Sequence, residues 1–446
     1  MAVYFSFFNS IQLISAKAHH FKGFDEVELK FEEKVTQFIG DNSKGKSSIA
    51  DLVAFAFLGT NSFGEKLDFF KQGENFAWVE VVFKDNLGNQ RILRREITKD
   101  KSGKTSTTIR LDHYNVPSTK MKKAIDDDLF LSILNPKYFL NLTPSAAKNM
   151  LCSIITIDRD TVEGLLDEES AEAVIALDYS IFDVDEKRSF ISFKIKELES
   201  YRKELEIRLS DTFDKEIPEE LTFDEAEFVE TIKDLDFSNP IAYTRLKELL
   251  EERDKVMQHN AIRNYLIEQK QDFDENIEMM KDDLNKTVSE IDSLKATHSG
   301  LERFKRKYLE LVVKEINSRL DKVSIQLLDK ATDGSDKEVF YVRYDGKNIN
   351  TCSNTEQVRA GIELHKMLTD LTHLKYPLII DNAEGITILP SGIKSFHQTI
   401  TLAVVKGYDL SYVGEDNIVT NVKTLKTMGR LNLEDICIYR VFGDIP

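Results

Sequence analysis

Cysteine is nearly absent. The 446 residues contain only Cys152, Cys352 and Cys437, and no two of them stand at Cys-x-x-Cys spacing. That excludes a disulfide framework and a cysteine-rich zinc site. Proline is scarce too, with 8 residues beside 19 glycines and a single tryptophan. So few breakers in a chain that is 31% charged point to much exposed helix rather than a β-sandwich. No apolar run reaches the roughly 18 residues that suggest a membrane-crossing helix. The opening MAVYFSFFNSIQLISA is apolar but lacks a basic flank, so it reads as strands rather than a signal peptide. Positive charge is also in deficit. A net charge of −17 argues against a chain that coats nucleic acid over its whole surface, although local basic patches stay open. What remains is a soluble, cytoplasmic chain with no membrane role. Its 41% hydrophobic content suffices for the cores of two or three domains.

Three regions differ in pattern. Residues 1–185 are mixed: IQLISAKAHHF and FDEVELKFEE alternate as strands, and KVTQFIG is a buried strand. SSIADLVAFAFLG follows as a helix, and WVEVVFKDNLGNQRILRREITKD reads as a hairpin about Asp85 to Asn89. Residues 186–328 are helical and charge-laced. Ile191, Ile195, Leu198, Arg202, Leu205 and Leu209 form a heptad seam, which stops near Pro218. A second, longer helical stretch resumes after Asn239-Pro240, with its seam at Ile277, Met280, Leu284, Thr287, Ile291, Leu294, His298, Leu301, Lys305, Tyr308 and Val312. Two unequal arms fold back most simply as one short antiparallel coiled-coil hairpin, a stub rather than a rod. In residues 329–446 strands return. EVFYVRYDGKNIN is a hairpin about Asp345-Gly346, QVRAGIELHKMLTDLTHL an amphipathic helix and YPLIIDNAEGI a buried strand with an acidic end. An α/β core split by a helical insertion is the simplest architecture.

Chemistry concentrates where the strand KVTQFIG meets its helix. Gly40, Asp41, Asn42, Ser43, Lys44, Gly45, Lys46, Ser47 and Ser48 form a phosphate-binding loop of the pattern Gly-x-x-x-x-Gly-Lys-Ser. Its glycines let successive backbone N–H groups face phosphates, Lys46 reaches the terminal oxygens, and Ser47 ligates Mg²⁺. Asp381 closes the apolar strand Leu378-Ile379-Ile380; at the carboxyl end of a parallel strand it would face the same metal. Ser353-Asn354-Thr355-Glu356 opens the amphipathic helix with capping-box spacing, and local capping accounts for it. An anion site offered to a second molecule's γ-phosphate is the functional alternative.

The order of these parts resembles the SMC, RecF and SbcC group of ABC-type ATPases, whose heads are split by a coiled coil. HFKGFDEVELKFEEKVTQFIGDNSKGKSSIADLVAFAFLG is similar to the opening of SbcC-type proteins, and the Asn-Ala-Glu after Asp381 to compact phage or prophage members. The resemblance covers both lobes, and no zinc hook or hinge is visible. It makes Asn135, in LFLSILNPKYFLNLTP, the counterpart of the group's Q-loop glutamine, and Ser353 to Glu356 a signature motif that has lost its glycines. It implies a homodimer that closes head to head on two ATP molecules and binds DNA, double-stranded by expectation, in recombination, repair or replication. A nuclease subunit would supply any cutting. Arg91, Arg94, Arg95, Lys99, Lys101 and Lys104 are the candidate DNA contacts, with a solvated hairpin tip as the plain alternative. Where the group has a glutamate after the strand aspartate, Asn382 stands here, and Glu384 is the nearest carboxylate. Hydrolysis is therefore expected to be slow, with Glu384 contributing. Two other readings compete. One is a regulatory or defence ATPase whose ATP-bound dimer gates an effector; the other is a scaffold that uses ATP only as glue. The expected location is a bacterial host cytoplasm or nucleoid.

Overall fold

Period-two alternation of apolar side chains builds the first sheet. The computed structural model describes residues 8–155, 157, 161, 164, 181–330, 336–385, 397–414, 418–424 and 427–430. Cys437 and the strand reading of residues 1–7 lie outside them. β1 (Gln12–Phe21), β2 (Phe24–Lys30), β4 (Phe76–Lys84), β5 (Gln90–Lys99), β6 (Thr105–Leu111) and β7 (Tyr114–Asn115) pair antiparallel in the order β2-β1-β4-β5-β6-β7. The β4–β5 turn forms where expected, because Asp85 Oδ1 accepts the amides of Leu87 and Asn89 at 2.9 and 3.0 Å.

β3 (Val35–Gly40) belongs to a second sheet, with β11 (Leu378–Asp381), β12 (Thr399–Val404), β13 (Ser411–Val413), β14 (Ile418–Asn421) and β15 (Thr427–Arg430). β11, β12 and β3 run parallel and their carboxyl ends share one edge; β13 returns antiparallel to β3. Parallel strands buried on both faces read as continuous apolar runs, as in Leu378-Ile379-Ile380, each at most 2% exposed. α1 (Ser47–Leu58) packs on β1, β4 and β5 on one side and on β11 on the other. That double burial explains why Ile49 through Phe57 are all buried. α2 (Ser118–Ala124), α3 (Asp127–Leu134) and α4 (Pro144–Ile154) complete the first half. A third sheet holds β8 (Val323–Lys330), β9 (Asp336–Tyr344) and β10 (Lys347–Asn348).

The chain divides into two compact units, residues 1–162 with 306–446 and residues 163–305. In the second, α5 (Ile181–Arg208) pairs antiparallel with α7 (Pro240–Asn317), and α6 (Glu225–Lys233) lies between them in sequence. As the chain climbs α5, its partners recede along α7: Asp185 meets Lys305, Arg188 meets Glu302 and Glu199 meets Lys295. Every expected seam residue is buried or half-buried. The polar slot at Lys305 is explained by its 2.6 Å ion pair with Asp185. The expected stub requires correction. α5 is short, but α7 has 78 residues, about 117 Å at 1.5 Å per residue. Beyond α5 the rising arm continues through residues 209–224 without helix and then as α6: Lys215 reaches Gln269, Leu221 bonds to Asn260, and Glu225 at the start of α6 reaches Arg253. No helix among the described residues is long and apolar enough to cross a membrane. α8 (Asn354–Thr372), in the first unit, follows β10 and precedes β11.

Candidate nucleotide site

The loop after β3 is shaped by contacts only small residues permit. A Cβ on Gly45, at φ 87°, would lie 2.8 Å from the Phe24 ring, so a side chain there meets both strain and collision. Lys46 is buried and its Nζ donates to the Asp41 carbonyl at 2.8 Å. The turn between β12 and β13 clasps the loop from outside: Asp41 N–H donates to Tyr408 O, Gly407 N–H donates to Asp41 Oδ2, and Lys44 pairs with Asp409. Backbone N–H groups of Gly407 and Asn42 hold the Asp41 carboxyl below its ordinary range. Above lies a cleft of about 560 Å³ lined by Phe24, the loop from Asn42 to Ser48, Asn382, Asp409 and Lys423.

Ser47, the first residue of α1, donates its hydroxyl to Asp381 Oδ2 at 2.6 Å. Strand order explains the meeting. β12 separates β3 from β11, so their ends lie roughly two strand spacings, about 10 Å, apart, and the loop carries Ser47 across β12. A hydroxyl and a carboxylate in contact fit Mg²⁺, which takes few protein oxygens and completes its shell with phosphates and water. Among the described residues no group of three or more His, Cys, Asp or Glu could hold a metal instead.

Asn382, beside Asp381, is exposed and takes φ 55°. Glu384 departs from expectation: it lines neither cleft, and its Oε2 accepts the Val404 amide at 2.9 Å. That bond ties the short turn after β11 to the end of β12. Asn135 comes to the Ser47–Asp381 pair, lining a second cleft of about 270 Å³ with Ser47, Asp381, Asn382 and Lys137. Ser353 and Glu356 form a reciprocal capping box on α8, Asn354 accepts from Lys137, and Thr355 Oγ1 donates to Gly385 O at 3.2 Å.

The basic candidates on the first sheet need correction. Arg95 is 5% exposed and donates to Ala56 O and Phe57 O at the end of α1, where it satisfies helix carbonyls. Arg91 is engaged by Asp85 and Asp112, Arg94 by Glu80 and Glu96 with its guanidinium 3.9 Å from the Trp78 ring centre, and Lys99 by Asp68. Lys101 and Lys104 stand exposed on the turn after β5.

Lys22, Asp51, Lys137 and the turn at 405–409 were missed in the sequence. Lys22 and Asp51 pair, and Asp51 Oδ1 also accepts the amide and hydroxyl of Ser62. The lone acid in SSIADLVAFAFL was the available signal. Lys137 is the sole charge in LFLSILNPKYFLNLTP. The turn at 405–409 is marked in the sequence only by Gly407, at φ 82°, between apolar stretches.

No family model matches the chain. It is similar to the DNA double-strand break repair Rad50 ATPase of Thermoplasma volcanium, 25% identical over 203 residues, or 42% of this chain and 22% of that protein. The Rad50 ATPase of Methanocaldococcus jannaschii is 29% identical over 161 residues, 33% of this chain and 16% of that one. These matches span about a fifth of the relatives' length. Among solved structures, the Smc head domain with an extended coiled coil bound to the C-terminal domain of ScpA, from Pyrococcus furiosus, gives a TM-score of 0.42 at 14% identity, over 88% of this chain and 90% of that chain. The recombination mediator RecF in its ATPrS form gives 0.40 at 12% identity, over 90% and 94%.

Proposed function

We propose that this chain, an ABC-type head of the SMC, RecF and SbcC group, binds and slowly hydrolyses ATP and acts on DNA as a homodimer joined through its heads. The 2.6 Å contact between Ser47 and Asp381 at the mouth of the phosphate loop carries the reading. Mg²⁺, held by these two oxygens, would neutralise phosphate charge and orient the terminal phosphoryl group. Loop N–H groups and the amino end of α1 receive the phosphates, and Lys46 exchanges the Asp41 carbonyl for a phosphate oxygen. Asn382 orients the attacking water without accepting its proton. In the assembled dimer, each α8 start covers the nucleotide of the other head.

The similarity to DNA double-strand break repair ATPases supports the choice of DNA. With Arg91, Arg94 and Arg95 engaged within the fold, Lys101 and Lys104 remain the exposed contacts on this sheet. ATP binding and phosphate release, measured with and without duplex DNA, test the reading. Wild-type protein is expected to bind ATP and hydrolyse it slowly, faster with DNA; Lys46→Ala should bind none, because it loses the loop's buried cation. Undiminished ATP affinity in Lys46→Ala would sink the nucleotide site. DNA that neither binds nor stimulates would remove the DNA reading alone.

A further inference from the structure

One more cation stands beside the Ser47–Asp381 pair, supplied by neither the loop nor the strand. Lys137 lies just past α3, on a turn fixed from several directions. Asn135 Nδ2 donates to Ser62 O at 2.9 Å, and Asn135 Oδ1 accepts the Lys137 amide at 3.1 Å. The Pro136 carbonyl presses on α8, where a Cβ on Gly361 would lie 1.8 Å from its oxygen. Lys137 Nζ donates to Asn354 Oδ1 at the start of α8, and the side chain lines the smaller cleft with Ser47, Asp381 and Asn382. Burial lowers its ammonium pKa, while the Asp381 charge opposes that shift. A half-buried ammonium directed at a neutral amide is poorly compensated for lost water. The mismatch is removed when an anion arrives in the cleft.

We propose that Lys137 is a catalytic residue that contacts the γ-phosphate of ATP held by its own loop, and thereby distinguishes ATP from ADP. This rests on the nucleotide reading above. The three equatorial oxygens of the transferring phosphoryl group carry its charge, and a cation already held beside them when ATP binds lowers the barrier. Asn354 holds the ammonium in place until the phosphate replaces it, which links the loop's occupancy to the start of α8.

The test compares wild type, Lys137→Gln and Lys137→Arg as full chains with Mg²⁺, measuring ATP affinity, ADP affinity and kcat. Glutamine removes the charge and keeps an N–H donor on an arm one bond shorter, and the arginine variant keeps the charge as the control. Lys137→Gln should lose kcat on the order of 10²-fold, and its ATP affinity should fall to that for ADP, itself unchanged. Lys137→Arg should retain the preference for ATP. If Lys137→Gln matches wild type in kcat and in the ATP-to-ADP ratio, or weakens both nucleotides equally, the role is overturned while the ATP site stands. A wild type that binds no ATP overturns the site, and this inference with it.

Discussion

Asn382 sits in the left-handed backbone region at φ 55°, immediately after Asp381, the carboxylate that meets Ser47. Asparagine occupies that region more readily than longer side chains, so the turn out of β11 favours an amide where a catalytic base would be useful. Glu384 seemed in the sequence the natural substitute, but it is spent on the Val404 amide. Glutamine can accept the same bond through its carbonyl oxygen. Glu384→Gln is therefore expected to leave kcat and ATP affinity unchanged. Asn382→Glu should raise kcat on the order of 10²-fold by adding a proton acceptor, while the strained backbone costs about 1 kcal/mol of stability. Phosphate release at saturating ATP measures both. A large loss in Glu384→Gln would return that residue to the chemistry.

At the scale of elements, α8 shows how a local rule yields to packing. A glycine inside a helix costs about 1 kcal/mol relative to alanine, yet Gly361 sits in mid-helix. It stays because the Pro136 carbonyl lies where a Cβ would project, only 1.8 Å away. One turn further on, buried His365 Nδ1 meets Ile133 O at 2.7 Å, and burial pushes its pKa down to about 4. Gly361 and His365 together seat α8 on α3 and the turn that follows it. Gly361→Ala should thus lose about 1–3 kcal/mol despite its better propensity, and displacing Asn135 and Lys137 should lower kcat with it. Chemical denaturation and turnover assays report the two effects. A stabilised, fully active variant would show that the approach relaxes at no cost.

Much of this arrangement was legible because its signals are local. The Gly-x-x-x-x-Gly-Lys-Ser spacing, the apolar strand ending at Asp381 and the Ser353–Glu356 cap each announce one element. What stayed hidden depends on residues distant in sequence. Arg95 looked like a surface cation on an alternating strand, but its position on the inner face of β5 aims it at α1. Glu384 and Lys137 acquire their roles from Val404 and Asn354, respectively 20 and 217 residues away. The start of α7 after Asn239-Pro240 was legible; the stub was inferred wrongly because the rising arm beyond α5 follows α7 through single contacts such as Lys215 to Gln269 and Leu221 to Asn260, which leave no periodic pattern.

For the whole molecule the proposed dimer raises the question of what would join two chains that each carry −17. Like-charged partners bearing bound phosphates repel, so head closure needs local positive potential at the contact. In that dimer the helix dipole at the amino end of α8 would contribute it, with Lys347 pairing the Glu356 carboxylate of the first turn. Ser353 is exposed there, and its hydroxyl accepts the Glu356 amide at 3.3 Å as part of the cap. Capping alone would account for a serine, so the useful variant must keep the cap and change the charge. Aspartate caps as well as serine does; Ser353→Asp should keep its melting temperature and its ATP affinity as a monomer. It would nevertheless place a carboxylate against the other head's γ-phosphate, at a cost that falls as salt screens it. The expected result in sedimentation with ATP is a dimer for wild type and a monomer for Ser353→Asp at low salt, with partial recovery at high salt. An unchanged dimer fraction would mean that α8 starts with a cap and nothing more, and that the heads join elsewhere.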